Sequence, residues 1–168
     1  AQGTAAAILG ARSAYIAGAS GTACTIAEEQ FGVPALGTMA HSWVQMFDTE
    51  YEAFETYCKL YPNNVVLLVD TYDVLKSGVP NAIKVAKEVL NVEGKRLKGI
   101  RLDSGDLAYL AKEARKQLDA AGMQDATICA SNSLDEYLIR DLLNQGAPID
   151  SFGVGENLIT SKSCPVFG

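Results

Sequence analysis

Val65-Val66-Leu67-Leu68-Val69-Asp70-Thr71-Tyr72-Asp73 follows the turn signal Pro62-Asn63-Asn64. Five apolar residues, β-branched or Leu throughout, stand between that turn and the carboxylate of Asp70, which predicts a short strand over 65–69. A helical pattern then runs from about 80 to 90, with Pro80 tolerated in the first turn. Going further outward, the same alternation recurs on both sides. Downstream, strand patterns cover 97–102, 127–130 and 151–154. Between them lie helices over 106–121, with Leu107, Leu110, Ala111, Ala114 and Leu118 on one face, and over 134–144, with Leu138, Leu142 and Leu143 turned inward. Gly122 and Gly146 end these helices. Upstream, the apolar runs 14–17 and 34–38 read as two more strands, with a helix over 22–31 and a helical pattern over 43–61 broken near Asp48. Strands alternating with helices imply a parallel sheet with crossover helices. An α/β fold of this length fits a parallel, TIM-like α/β barrel, incomplete here, and fits a doubly wound sheet by the same periodicity.

Composition narrows the function classes. The chain has 168 residues, 48% of them hydrophobic, enough for a single domain with a sizeable core. Lys and Arg number 14 against 20 Asp and Glu, a net charge of -6. With no basic run, no nucleic-acid partner is expected. Nor is a membrane: no apolar stretch approaches the roughly 20 residues needed to span one, and the N-terminus lacks the pattern of a signal peptide. Cys24, Cys58, Cys129 and Cys164 are widely spaced and form no metal-ligand pair, so they read as free thiols of a protein in the reducing cytoplasm, and no metal-ligating residue is expected. Residues 1–168 are expected to be one segment of a longer polypeptide, because the chain starts without Met in an Ala-rich helical stretch and stops at Pro165-Val166-Phe167-Gly168 with a strand under way.

The unusual polar residues fall after the apolar runs, where ligands bind in either parallel architecture. Gly18, Ser20, Gly21 and Thr22 follow the first run; Gly37, Thr38 and His41 the second; Asp70, Thr71 and Asp73 the third. Arg101, Asp103, Ser104 and Asp106 follow the fourth; Ser131, Asn132 and Ser133 the fifth; Gly153, Gly155, Glu156 and Asn157 the last. Singly, each is an ordinary turn or helix-cap residue, and Asp106 and Ser133 are well placed as N-caps. The set is what argues for a common site. His41, the only histidine, would by itself read as a structural residue, but with Asp70 at the neighbouring strand end its tautomer would be fixed and its free nitrogen activated. Arg101 through Asp106 offers a guanidinium fork for a carboxylate or phosphate, and equally an internal ion pair followed by a cap. The loop from Phe152 to Asn157 presents backbone N–H groups to an anion.

Gly37-Thr38-Met39-Ala40-His41-Ser42-Trp43, Asp70-Thr71-Tyr72-Asp73, Arg101-Leu102-Asp103-Ser104-Gly105-Asp106 and Phe152-Gly153-Val154-Gly155, in this order, resemble the nicotinate phosphoribosyltransferase family of type II phosphoribosyltransferases. The resemblance covers essentially the whole chain. It implies a reaction joining nicotinate to the ribose of phosphoribosyl pyrophosphate within NAD biosynthesis. Mg2+ would bridge the pyrophosphate, and ATP would be spent through a phosphohistidine. His41 then corresponds to the phosphorylated residue, Asp70 to the carboxylate beside it, and Arg101 with Asp103 and its neighbours Ser104 and Asp106 to the nicotinate and ribose site. Ser131, Asn132, Gly153 and Gly155 match the 5′-phosphate grip, and Ser20, Gly21 and Thr22 a loop near the pyridine ring. Family members are longer, with an N-terminal domain and further barrel residues, and act as homodimers whose sites the partner completes, so the 168 residues alone are expected to be nearly inactive. Ala23 stands where nicotinamide-specific relatives have Asp, which favours nicotinate over nicotinamide. The alternatives are a nicotinamide phosphoribosyltransferase and a phosphometabolite-binding barrel lyase of another class, although no strand end here carries the Lys that a Schiff-base mechanism uses.

Overall fold

The computed structural model describes residues 3–160, and these fall into two compact units, one formed by residues 3–37 with 154–160 and the other by 38–153. The Cys164 thiol and the strand expected at 165–168 lie outside the described residues. No helix among the described residues is long and apolar enough to cross a membrane.

The larger unit contains a four-stranded parallel sheet in sequential order, β1 (Val66–Leu68), β2 (Gly99–Leu102), β3 (Thr127–Ala130) and β4 (Ser151–Phe152). Leu68 pairs with Arg101, Arg101 with Cys129, and Ala130 with Phe152, so the strands end nearly level. Their apolar side chains are enclosed completely, Leu67, Ile100, Leu102 and Ile128 all at 0% exposure. Each such side chain contributes about 1.5–3 kcal/mol relative to leaving it in water. The α/β class and the four strand patterns from 65 onward are therefore as the sequence predicts.

Helices α3 (His41–Gln45) and α4 (Glu50–Leu60) divide at the expected break near Asp48. Thr49 and Glu52 form a reciprocal capping box that starts α4. Trp43 donates from its indole N–H to the Ala53 carbonyl, 3.2 Å away, which fastens α3 to α4. The helix after β1 is α5 (Val79–Val85), entered through a π-helical turn at Val74–Gly78 and left through another at Ala86–Leu90. Helix α6 (Leu107–Ala120) buries Ala108, Ala111, Ala114 and Leu118, and Asp106 caps it through the Tyr109 N–H.

Helix α7 (Glu136–Asn144) departs from expectation in two ways. Its N-cap is Asp135, whose side chain accepts from Tyr137 and Leu138, rather than Ser133. Only Leu142 is buried, while Leu138 and Leu143, expected inward, are 47% and 52% exposed.

In the smaller unit the expectation of two further strands fails. Residues 14–17 belong to the end of α1 (Thr4–Ile16), because the Ala-rich run before them favours helix and carries it through Tyr15 and Ile16. Residues 34–38 make a single parallel bridge, Ala35 to Thr22, and no strand. Helix α2 (Thr25–Phe31) ends on left-handed Gly32, and a small core joins Ala11, Ala27 and Val33. A last short helix, α8 (Glu156–Ile159), brings Ile159 against Gly10 of α1. The described cysteines, Cys24, Cys58 and Cys129, are free, and burial pushes the Cys58 thiol pKa up to about 12.

Gly78 sets the distance between the β1 end and the helix that returns over it. A Cβ there would lie 1.8 Å from the Val69 carbonyl oxygen, and backbone cannot swing aside as a side chain tip can. Gly78→Ala is expected to destabilise the chain by about 2–3 kcal/mol in urea unfolding; a loss under about 0.5 kcal/mol would show that the contact relaxes freely.

Candidate active site

The level ends of β1, β2 and β3 deliver Asp70, Asp103 and Ser131 to one place, and α3 delivers His41 at its first residue. Arg101, still within β2, is the hub. Its Nε donates to Ser131 Oγ at 2.8 Å, Nη1 to Thr38 Oγ1 at 3.1 Å and Nη2 to Asp103 Oδ1 at 2.8 Å. Three of its five N–H groups are thereby engaged, leaving one on each terminal nitrogen. Ser131, itself buried, accepts from Arg101 and donates to Asp103 Oδ1.

Burial alone would raise the Asp103 pKa. Hydrogen bonds from Ser131 and Arg101, the guanidinium charge and the imidazole outweigh it and hold the carboxyl below its usual range.

The imidazole of His41 lies between hydroxyl and carboxylates. Nδ1 is 3.1 Å from Thr71 Oγ1; Nε2 is 3.4 Å from Asp103 Oδ2 and 3.9 Å from Asp70 Oδ1. Acidic oxygens on the Nε2 side favour the proton there and leave the lone pair on Nδ1. Asp70 orders the next strand end: its Oδ2 accepts from the Asp103 N–H at 2.8 Å and from Ser104 Oγ at 2.6 Å. Its Oδ1 is buried with no hydrogen-bond partner.

The cluster thus joins His41, Asp70, Arg101, Asp103, Ser104 and Ser131. Thr38 and Thr71, read from the sequence among the strand-end polar residues but given no individual role there, belong to it as well. Asp106 is engaged in capping α6. Asn132 follows Ser131 with φ 96°, a left-handed conformation costly for a side chain and met at functional turns. Gly153 gives its N–H to the Ala130 carbonyl at 2.8 Å, so what it offers is space, its absent Cβ lying 3.1 Å from Ser131 Cβ.

Ser20, Gly21, Thr22 and Gly155 belong to the smaller unit. There Thr22 Oγ1 accepts from the Cys24 N–H, and a Cβ on Gly21 would lie 2.5 Å from the Pro34 carbonyl. Gly155 is the N-cap of α8. Among the described residues no group of three or more His, Cys, Asp or Glu is arranged to hold a metal ion.

A depressed carboxyl stabilises the fold above its unfolded pKa, near 4, and that stabilisation disappears as pH falls through the lower folded value. Asp103→Asn is therefore expected to cost about 1–3 kcal/mol at pH 7, with the gap to the parent closing below about pH 4. Chemical unfolding across that pH range checks it; a gap independent of pH would rule out the charge as its origin.

The model of the Nicotinate phosphoribosyltransferase (NAPRTase) family matches residues 1–163. A nicotinate phosphoribosyltransferase of Bacillus subtilis is 52% identical over 165 residues, covering 97% of this chain and 33% of that protein. Nicotinate phosphoribosyltransferase pncB2 of Mycobacterium tuberculosis is 49% identical over 165 residues, covering 98% and 35%. Among solved structures, human nicotinic acid phosphoribosyltransferase superposes with a TM-score of 0.86 at 27% identity, over 92% of this chain and 41% of that one. Nicotinate-nucleotide pyrophosphorylase from Pyrococcus furiosus gives 0.79 at 26% identity, over 96% and 41%. The chain spans about a third of the length of these curated relatives. With the match running almost end to end, the chain belongs to the nicotinate phosphoribosyltransferase family.

Proposed function

We propose that this chain is the central barrel segment of an enzyme that makes nicotinate mononucleotide and pyrophosphate from nicotinate and phosphoribosyl pyrophosphate, with ATP hydrolysed alongside. The observation that carries the reading is the single hydrogen-bonded cluster of His41, Asp70, Arg101 and Asp103 at the carboxyl ends of parallel strands. Relatives named for this activity at about half identity support the choice of substrate.

In the proposed reaction the pyridine nitrogen lone pair forms a bond to the anomeric carbon, while the bond to pyrophosphate oxygen breaks and takes its electron pair. Positive charge develops on the ribose, which buried Asp70 and partly buried Asp103 would stabilise. The unengaged N–H group on each terminal nitrogen of Arg101 would donate to the nicotinate carboxylate or a phosphate. Mg2+ would travel on the phosphate oxygens of the donor, since the described residues supply no ligand cage.

For the ATP step, the Nε2 proton is held by the carboxylates, so Nδ1 attacks the terminal phosphorus as ADP leaves. The Thr71 hydroxyl must first rotate off that lone pair. Hydrolysis of the phosphohistidine completes the ATP cycle. The enzyme would work in the cytoplasm as a homodimer, its remaining barrel strands and N-terminal domain supplied by chain outside these residues.

The whole enzyme bearing His41→Ala should take up no label from γ-labelled ATP; label retained on that variant would refute the phosphohistidine. Arg101→Lys removes the planar fork, and one charge-assisted hydrogen bond is worth about 1.5–3 kcal/mol, so KM should rise about tenfold to a hundredfold. An unchanged KM would remove Arg101 from substrate binding.

A further inference from the structure

Glu50 begins α4 yet is only 5% exposed, and the chemistry above makes no use of it. A carboxylate in a first helical turn ordinarily stays in water, where it complements the helix dipole. Glu50 turns inward instead. Its Oε2 accepts from Ser77 Oγ at 2.6 Å and from Asn81 Nδ2 at 3.2 Å, while Oε1 is buried without a hydrogen-bond partner. Burial raises its pKa, the bonds from Ser77 and Asn81 oppose that, and the negative charges of Asp70 and Asp73 raise it further. Through Ser77 the carboxyl is tied to the turn that follows the strand end carrying the site.

Ser77 lies within the π-helical turn Val74–Gly78, which hangs from Asp73. The Asp73 carbonyl accepts from the Ser77 and Gly78 N–H groups at 3.0 and 2.8 Å, and its side chain accepts from Leu75 and Lys76. Gly78 in turn abuts the Val69 carbonyl. Residues 70–72 are thus pinned between two anchors of one turn, and they include Asp70 and Thr71, which flank the imidazole. Turns of this type have poorer hydrogen bonding than α-helix and recur at functional sites.

We propose that Glu50 is a positioning residue for His41: by tying Ser77 and Asn81 from inside, it fixes the turn that holds Asp70 and Thr71 against the imidazole. The kinetic consequence rests on the phosphohistidine reading, whereas the geometric part does not. In the whole enzyme, kcat, KM and the ring 15N shifts of His41, assigned by their loss in His41→Gln, are measured together. Glu50→Gln keeps an acceptor for Ser77 and should hold kcat within about threefold of the parent, whereas Glu50→Ala should lower kcat about tenfold or more with KM within about twofold and should alter the His41 shifts. Should Glu50→Ala fail to fold, Ser77→Ala removes the same bond from the other side and is read identically. A folded variant with unaltered ring shifts and kcat overturns the proposal, as does an equal loss in the Gln and Ala variants. If the parent transfers no phosphate to His41, the functional reading fails and the ring shifts alone decide the positioning.

Discussion

Acidic groups crowd the carboxyl end of this sheet, and the Arg101 guanidinium is what makes the crowding tolerable. Asp70 and Asp103 both face one imidazole nitrogen, and like charges this near one another disfavour ionisation. Arg101 compensates one of them directly and is itself immobilised by its bonds to Ser131 and Thr38. A flexible cation could neutralise the charge; a planar fork engaged at three points also fixes where its remaining donors aim.

That arrangement depends on register. Leu68, Arg101 and Cys129 sit across from one another in adjacent strands, so Asp70, Asp103 and Ser131 each emerge two residues past a shared level. A slip of one residue in β2 would send the Arg101 side chain to the opposite face of the sheet. The fully buried Leu67, Ile100, Leu102 and Ile128 hold the register, which ties the chemistry of the mouth to the packing of the core.

The parts legible in the sequence were those with a strong local signal. The runs 65–69, 97–102 and 127–130 are bounded by turn residues and became strands, and the break near Asp48 became a capping box. Residues 14–17 misled because four residues of mixed apolar character carry no period of their own, and the helix already running decided them. Leu138 and Leu143 show the reverse failure: the helical stripe was real, but periodicity says which residues share a face and not whether the described chain covers it. His41, Asp70, Arg101 and Asp103 were legible as strand-end groups, and an ion pair followed by a cap was one of the two readings of 101–106; the contact of Asp103 with His41 was not legible, since it depends on side-chain directions across two elements. Glu50 was invisible for the same reason, because a Glu after Thr reads as an exposed first-turn residue.

Asp103 and Asp106 are three positions apart and chemically identical, yet one enters the cluster and the other caps α6. Asp70 divides its two oxygens between structure and the imidazole. A buried acceptor left bare costs about 1–3 kcal/mol, and Glu50 and Asp70 each leave one oxygen so. Asp70 satisfies Oδ2 twice and leaves Oδ1 bare, 3.9 Å from a half-exposed imidazole. The cost has no return while the ring is neutral. Under the proposed phosphohistidine it would gain one: with a phosphoryl group on Nδ1 the Nε2–H would become more acidic, and the unpartnered oxygen would meet a stronger donor.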